Sequence, residues 1–365
     1  MAQLTFRADV PLAARTTFRV GGPARFYAEA TTTEEIASAH EWAAARGLPC
    51  FVLGGGSNLV VADRGLEALV LRIRTAGITC EEQGDATLVH AGAGESWDDL
   101  VARVTADGLG GLECLSGIPG DVGATPIQNV GAYGREVGEV IEEVELWRRQ
   151  DGAREVRPAA ACEFGYRDSV FKGADRGRYV VTRVTFRLAR GEVPALRYAE
   201  LASYVAQRGV TTLSGLRDAV LELRRAKSMV LDPLDPNHRC AGSFFMNPIV
   251  AAATAPRVRE RALANGTLEA TGTMPAYPAG PGRVKLAAGW LIEQAGFAKG
   301  TRRDRVGLSS RHALALVNLG DARASDVVSF AREIQEGVQA RLGVHIAVEP
   351  ELVGFDAGEL GDLVG

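Results

Sequence analysis

The sequence predicts an α+β fold with more than one domain. Apolar and polar residues alternate over Ile141–Arg148 and Tyr179–Leu188, which is typical of half-buried strands, whereas Ser325–Leu342 has the spacing of a helix. At 365 residues the chain exceeds the size at which a single hydrophobic core keeps growing. The composition changes near Gly191-Glu-Val-Pro194, where we expect a domain boundary.

The first half predicts strands and helices in alternation, with two glycine-rich loops between them. Thr32 with Glu35 three positions later is a capping box, so a helix is expected from there to about Arg46, closed by Gly47. Ser96 with Asp99 predicts a second helix start. The predicted order is strand 24–30, helix 32–46, strands 49–53, 66–73 and 87–91, helix 96–107, and strands 141–148 and 179–188.

The second half predicts another α+β region without internal repeats. Its helices are expected at 216–227, 256–264, 286–295 and 325–342, and its strands at 313–318 and 344–348.

Residues 54–58 form the glycine-rich stretch Gly54-Gly-Gly-Ser-Asn58, directly after a predicted strand. Such a loop can hold phosphate through backbone N–H groups. The dinucleotide fingerprint is excluded because Leu59 stands at its last glycine position, and a Walker A loop is excluded because Gly-Lys occurs nowhere. The stretch is therefore a phosphate-binding loop of another kind or a tight turn.

Residues 117–134 carry glycines at 117, 120, 123, 131 and 134 and prolines at 119 and 126. This composition suits neither a helix interior nor a central strand, so we expect an irregular, closely packed loop. Such a loop brings backbone amides close to a large flat or anionic ligand, and Gln128, Asn129 and Tyr133 add directional polar groups. The alternative is a long exposed turn.

Four further groups of polar residues are candidates for chemistry. Gly165-Tyr-Arg-Asp-Ser169 suits anion binding or is a surface turn with an Arg-Asp pair. Ser243 lies in Ala241-Gly-Ser-Phe-Phe245 but not in a nucleophile elbow. Glu351 is expected at or beyond the end of strand 344–348, either as a general acid or as a solvated charge. A cationic set that suits a diphosphate or a carboxylate comprises Arg224, Lys227 and Lys299, with Tyr198 and Tyr277.

Composition excludes several classes of function. The net charge of −4 gives no reason to expect a nucleic-acid or anionic-membrane partner. The five cysteines are scattered and the five histidines lack paired spacing, so we expect no disulfide framework and no metal site. Residues 1–10 lack a secretory leader, and no apolar run approaches the length of a membrane span, which favours a cytoplasmic location.

Taken in order, these segments resemble the UDP-N-acetylenolpyruvoylglucosamine reductase family, FAD enzymes of bacterial peptidoglycan precursor synthesis. Each motif is weak alone, but the ordered set is specific. The motifs are Gly54–Asn58, Gly92-Ala-Gly-Glu95, Ile118–Gly134, Gly165–Ser169, Ala241–Phe245 with Asn247-Pro248, Lys285–Ile292 and Glu349-Pro-Glu351.

The resemblance implies a two-lobed FAD-binding region of the vanillyl-alcohol-oxidase type and an α+β substrate-binding domain. The implied lobes are residues 1–72, joined by 352–365, and residues 73–193, and the substrate domain is 194–351. It also implies non-covalent FAD, NADPH as hydride donor, a UDP-sugar substrate and a protein that we expect to be a monomer.

The resemblance also implies the roles of individual residues. The catalytic residues are Arg167, Ser243 and Glu351. The FAD-binding residues are Gly54, Gly55, Gly56, Ser57, Asn58, Pro119, Gly120, Gly123, Ala124, Gln128, Asn129, Gly131, Ala132, Tyr133 and Arg224. The substrate-binding residues are Tyr166, Tyr198, Lys227, Asn247, Tyr277, Lys299 and His312.

Two positions depart from the family pattern. Val353 stands where some members have an arginine, and His312 stands where a glutamine contacts substrate. Two other functions remain open at this point: an oxidase of the same FAD fold, and a non-catalytic module that binds a flavin or a sugar nucleotide. An oxidase would have no need of Ser243 and Glu351.

Overall fold

The computed structural model describes residues 4–191 and 193–363, which form two compact units. The first contains the residues up to Val10, Ala24–Gly55 and Glu67–Leu231; the second contains Pro11–Pro23, Gly56–Leu66 and the residues from Asp232 onward. Glu192, inside the predicted boundary, lies outside the described residues. The three-part division into two lobes and a substrate domain stays a prediction.

Strands and helices are numbered in chain order. The strands are β1 Arg7–Pro11, β2 Pro23–Ala30, β3 Cys50–Leu53, β4 Leu59–Val61, β5 Leu66–Ile73, β6 Ile78–Gln83, β7 Ala86–Gly92, β8 Leu109–Gly110, β9 Gly131–Ala132, β10 Arg135–Glu136, β11 Ile141–Arg148, β12 Arg154–Pro158, β13 Tyr179–Arg190, β14 Ile249–Ala251, β15 Ala276–Pro278, β16 Arg283–Leu286, β17 Arg302–Arg303, β18 Val306–Leu308, β19 Leu316–Asn318 and β20 Glu351–Val353. The helices are α1 Thr33–Ala44, α2 Trp97–Ala106, α3 Thr125–Gln128, α4 Ala199–Arg208, α5 Leu213–Ala226, α6 Thr254–Ala264, α7 Ala288–Gln294, α8 Ala324–Leu342 and α9 Ala357–Leu360.

The first unit contains a four-stranded and a six-stranded sheet. The four-stranded sheet has the order β1-β2-β5-β3, with β3 parallel to β5. The six-stranded sheet has the order β12-β11-β13-β7-β6, with β8 also paired to β13, and its pairs are antiparallel. The mixture of parallel and antiparallel pairs with helices confirms the predicted α+β class.

Strand β13 follows the predicted alternation with one exception. Val184 and Phe186 are fully buried in the core of the first unit. Thr185, predicted to face solvent, is also buried. Its hydroxyl lies 2.9 Å from His90 Nδ1 on the paired strand β7, which satisfies the buried oxygen.

The second unit has a separate core around the long helix α8. Val327, Ile334 and Val338 are fully buried at helical spacing. The sheets of this unit are β14-β16-β15, β17-β18-β19 and the parallel pair β20-β4. No helix within residues 4–191 and 193–363 is both long and apolar enough to cross a bilayer.

The helix starts predicted at Thr32 and Ser96 are confirmed, although the capping hydrogen bonds differ from those expected. Thr32 accepts a hydrogen bond from the Glu35 backbone N–H at 3.2 Å, as a capping residue should. The Glu35 carboxylate binds the Thr31 backbone N–H at 2.6 Å, one residue before the expected position. Ser96 precedes α2 but makes no side-chain cap.

The strand predicted at 344–348 is wrong. The alternating apolar side chains of residues 344–348 are buried or partly buried, as expected, but this segment pairs with the irregular segment around Phe244. Met246 N–H donates to the Ala347 carbonyl at 2.9 Å, and Glu349 N–H donates to the Phe244 carbonyl at 2.9 Å. Because neither side is regular, only an isolated bridge forms. The strand predicted at 313–318 is shorter, Leu316–Asn318.

Partly buried His40 on α1 predicts a loss of stability in acid. Its ring centroid lies 4.7 Å from that of Trp147, and its Nε2 is buried without a hydrogen-bond partner among the described residues. Burial and, to a lesser extent, the nearby Arg149 cation together lower the pKa of His40 from 6.5 to about 4. Protonation therefore favours the unfolded chain, so this contribution is complete above about pH 6.5 and is lost as pH falls toward 4.

We therefore expect acid to destabilise the wild-type protein more than a His40→Phe variant. Since the ring is partly exposed, the extra loss is on the order of 1 kcal/mol by about pH 5. Urea unfolding of both proteins at about pH 7.5 and pH 5 measures it. Equal pH dependence in the two proteins would contradict the assignment to His40.

Candidate active site

In the first unit, the two glycine-rich segments meet. A Cβ atom added at Gly55 would lie 2.5 Å from the Gly120 Cα atom and 3.0 Å from its carbonyl carbon. Residue 55 therefore approaches residue 120 backbone to backbone, which only glycine at position 55 allows. Such a surface of exposed peptide groups fits the diphosphate or the flat ring of a flavin cofactor.

The loop 117–134 is largely irregular, as predicted, but it contains three short regular pieces: a 3₁₀ turn at Val122–Ala124, helix α3 and strand β9. Thr125–Gln128 forms a single helical turn, α3, with Pro126 in its first positions, where a missing N–H costs nothing. The turn ends at Asn129, which adopts the left-handed conformation with φ 46°.

The entry to this loop is held by charged side chains. The Gly117 N–H donates to Asp98 Oδ1 at 2.6 Å, and its carbonyl accepts from Arg224 Nη2 at 3.3 Å. Burial would raise the pKa of Asp98, but the bidentate Arg217 and the Gly117 N–H hold that pKa below its usual value. The Asp98 carboxylate, which the sequence analysis did not single out, thus stays ionised and fixes the loop.

Asp121 in the same loop was also missed. It is buried, and its carboxylate lies 2.8 Å from the Arg72 guanidinium. Burial raises the pKa of Asp121, while Arg72 and Arg74 oppose that change. No sequence spacing indicated this pair, because Arg72 lies on strand β5, far away along the chain.

The predicted catalytic Arg167 lies in a tight turn packed on the same loop. Gly165 and Asp168 pair across the turn, and Arg167 between them has φ 55°. Its Nη2 donates to the Gly131 carbonyl at 2.6 Å, and Asn129 Nδ2 donates to the Gly165 carbonyl at 2.7 Å. The guanidinium lies 5.4 Å from the Tyr166 ring centroid. Three predicted site residues, Tyr166, Arg167 and Asn129, are therefore brought together.

A second group in the first unit joins Tyr133, Tyr198 and Lys227. The two tyrosine rings pack edge to face with centroids 5.4 Å apart, and Lys227 Nζ lies 6.0 Å from the Tyr133 ring centroid. Lys227 also pairs with Glu200 on helix α4. Burial raises the pKa of Tyr133 to about 12, so the phenol stays protonated near neutral pH.

In the second unit, the end of the first glycine-rich loop lies beside Glu351. A Cβ at Gly56, where φ is +66°, would lie 2.1 Å from the Arg15 carbonyl oxygen, so glycine is required. Ser57 and Asn58 then lead into β4. The Asn58 carbonyl accepts from the Glu351 N–H at 3.0 Å, because β4 pairs with β20. Glu351 therefore begins a strand, whereas the sequence placed it at the end of one.

Ser243 and His312 lie on adjoining segments. Phe244, which follows Ser243, donates its N–H to the Leu314 carbonyl at 2.7 Å. His312 Nδ1 accepts from the Leu314 N–H at 3.1 Å, which leaves the neutral ring with its proton on Nε2. That tautomer can donate a hydrogen bond from Nε2, as an amide could.

The remaining predicted substrate residues stand on other elements of the second unit. Asn247 Oδ1 accepts from the Ala288 N–H at 2.9 Å and so caps helix α7. Tyr277 on β15 is opposite Lys285 on β16 and is half exposed. Lys299 Nζ lies 3.9 Å from Glu293. Val353, the departure noted in the sequence, lies in β20 opposite Val61.

Metal-binding side chains do not cluster in the part of the chain that the structure describes: it contains no group of three or more His, Cys, Asp or Glu placed to hold an ion.

Comparison with known families defines the class of this protein. Residues 24–155 match the family model described as FAD binding domain. Together with the α+β fold and the glycine-lined loops, this match makes the chain an FAD-binding flavoprotein.

The particular family follows from the C-terminal half and from full-length relatives. Residues 232–353 match the model described as UDP-N-acetylenolpyruvoylglucosamine reductase, C-terminal domain. Curated proteins of that name from Saccharopolyspora erythraea and Thermobifida fusca are 49% and 46% identical; the alignments cover 94% and 96% of this chain and 94% and 98% of theirs. The chain belongs to the UDP-N-acetylenolpyruvoylglucosamine reductase family.

A solved structure agrees with this assignment. The crystal structure of UDP-N-acetylenolpyruvylglucosamine reductase (MurB) from Thermus caldophilus matches with a TM-score of 0.64 at 29% identity, covering 96% of this chain and 99% of that one. The fold expected from the resemblance, an FAD-binding region followed by an α+β C-terminal domain, is thereby confirmed.

Proposed function

We propose that the protein reduces UDP-N-acetylglucosamine enolpyruvate to UDP-N-acetylmuramate, with NADPH as hydride donor, in cytoplasmic peptidoglycan precursor synthesis. The observation that supports this most is the attachment of the Arg167 turn to the 127–131 loop within an FAD-binding flavoprotein. A guanidinium fixed there suits a carboxylate-bearing substrate that must be reduced.

The substrate explains why a cation and an acid are required. An electron-rich enol ether does not accept hydride unless the negative charge that develops on its carboxylate is stabilised. We assign Arg167 and Glu351 to bind the enolpyruvyl carboxylate and to stabilise the charge that develops on it. When bound and reduced by NADPH, FAD would supply the hydride, from flavin N5 to C3 of the enolpyruvyl group.

Ser243 is assigned as the proton donor to C2, directly or through a water that it holds. A serine hydroxyl is a weak acid, so the role requires a fixed position. The backbone of Phe244, the next residue, provides this, because its N–H binds the Leu314 carbonyl and its carbonyl accepts from the Glu349 N–H at 2.9 Å.

The cofactor and the nucleotide sugar are assigned to the remaining predicted residues. The loops 54–58 and 118–134, with Arg224, hold FAD non-covalently. The UDP-sugar contacts are assigned to Tyr166, Tyr198, Lys227, Asn247, Tyr277, Lys299 and His312. We propose that NADPH and the UDP-sugar bind in turn at one site, with ping-pong kinetics, in a monomeric protein made of two FAD lobes and a substrate domain.

The proposal predicts that NADPH oxidation by the purified protein depends on UDP-N-acetylglucosamine enolpyruvate. Loss of NADPH absorbance, with mass detection of UDP-N-acetylmuramate, measures this dependence. NADPH oxidation that needs only oxygen would favour an oxidase and contradict the proposal.

A further inference from the structure

Lys172 joins the Arg167 turn to the predicted flavin loop through two hydrogen bonds, one to each segment. Its Nζ donates to Gln128 Oε1 at 3.1 Å and to the Arg167 carbonyl at 2.8 Å. Ser169, which lies between Arg167 and Lys172 in the sequence, donates a hydrogen bond from its hydroxyl to the Ile127 carbonyl at 2.7 Å. Residues 165–172 thus attach to the loop at residues 127, 128, 129 and 131. Among the described hydrogen bonds, Lys172 is the one basic side chain that binds both the loop and the Arg167 backbone.

The chemistry of the ammonium group fixes both partners. An ammonium has three donors and no acceptor, so the Gln128 atom that faces it must be the amide oxygen. The Arg167 carbonyl belongs to a residue with φ 55°, a left-handed conformation that is strained for a residue other than glycine. A charged donor on that carbonyl stabilises the strained turn.

The choice of lysine is itself informative. The sequence has four lysines among 41 basic residues, so arginine is the ordinary cation of this chain. A compact ammonium can bind two acceptors in different directions, whereas a planar guanidinium prefers two acceptors in one plane. Lys172 is half-buried, where a longer planar group would need more room.

We propose that Lys172 is a positioning residue for the carboxylate-binding arginine. It holds the Arg167 backbone against Gln128, and so sets the direction from which the Arg167 guanidinium meets the substrate carboxylate. This inference rests on the proposed function and adds to it a residue that the sequence motifs did not identify.

The test compares Lys172→Met with Arg178→Met. Arg178 lies close by in sequence, is exposed, and pairs with Asp175 at 2.6 Å, so its removal also deletes a cation and an ion pair. We expect Lys172→Met to weaken binding of UDP-N-acetylmuramate, measured by calorimetry, by roughly 10- to 100-fold, as loss of outer-sphere orienting groups does. Arg178→Met is expected to leave the product affinity unchanged.

A double variant shows whether Lys172 acts through Arg167. Once Arg167 is replaced by methionine, adding Lys172→Met should weaken product binding no further. The proposal is overturned if Lys172→Met matches Arg178→Met in product affinity, or if its effect is the same with and without Arg167. Failure of the proposed function is separate, because then the wild-type protein itself would not bind UDP-N-acetylmuramate.

Discussion

Ser243→Ala is expected to lower turnover by about 10²- to 10⁴-fold, the usual contribution of a general acid. The substitution removes only the hydroxyl, since the backbone of Phe244 is held by hydrogen bonds to Leu314 and Glu349. FAD content and unfolding temperature should therefore stay unchanged. Stopped-flow oxidation of the reduced enzyme by the enolpyruvyl sugar measures the effect.

Ser325→Ala is a matched control for loss of a hydroxyl in the same unit. The Ser325 hydroxyl donates to Asp63 at 2.7 Å at the start of α8, so this variant is expected to lose stability but to keep its turnover. Unchanged turnover in Ser243→Ala would exclude the proton-donor role.

Gly55→Ala is expected to lose bound flavin. Its new Cβ would overlap the Gly120 Cα atom at 2.5 Å, so the two loops would have to separate. Overpacking of this kind costs about 1–3 kcal/mol, which corresponds to an FAD dissociation constant raised by roughly 5- to 150-fold. Flavin absorbance per protein and titration of the apoprotein with FAD measure the change.

Gly191→Ala is the control, because a Cβ at that position would meet no atom within 4 Å from the described residues beyond its chain neighbours, and its φ is not in the left-handed region. Replacement there should be neutral or slightly stabilising. If Gly55→Ala bound FAD as tightly as Gly191→Ala, the assignment of the Gly55–Gly120 surface to the cofactor would be wrong.

Elements with regular periodicity were predictable from the sequence alone. Strands β5 and β11 each pair with a regular strand on both sides, and helix α8 buries one face. All three occur within a residue of their predicted bounds. The strand predicted at 344–348 failed for the opposite reason. Its apolar alternation is present, but strand formation also needs a regular partner, and the segment at 244–246 does not provide one.

The site was predictable where its chemistry is local. The glycine loops and the Arg167 turn are contiguous motifs, and the structure shows that they touch through Gly55, Gly120 and Gly131 within the first unit. Asp98 and Lys172 were missed because they bind residues far away along the chain or backbone groups, and such contacts produce no recognisable motif in the sequence. The sequence analysis also missed helix α4, which positions Glu200 for its ion pair with Lys227.

The most direct test of the proposed function is an anaerobic visible spectrum of the purified protein. The account predicts flavin bands that bleach when NADPH is added and return when UDP-N-acetylglucosamine enolpyruvate follows, without oxygen. Bands that stay bleached until oxygen is admitted, or a colourless protein that FAD does not reconstitute, would contradict it.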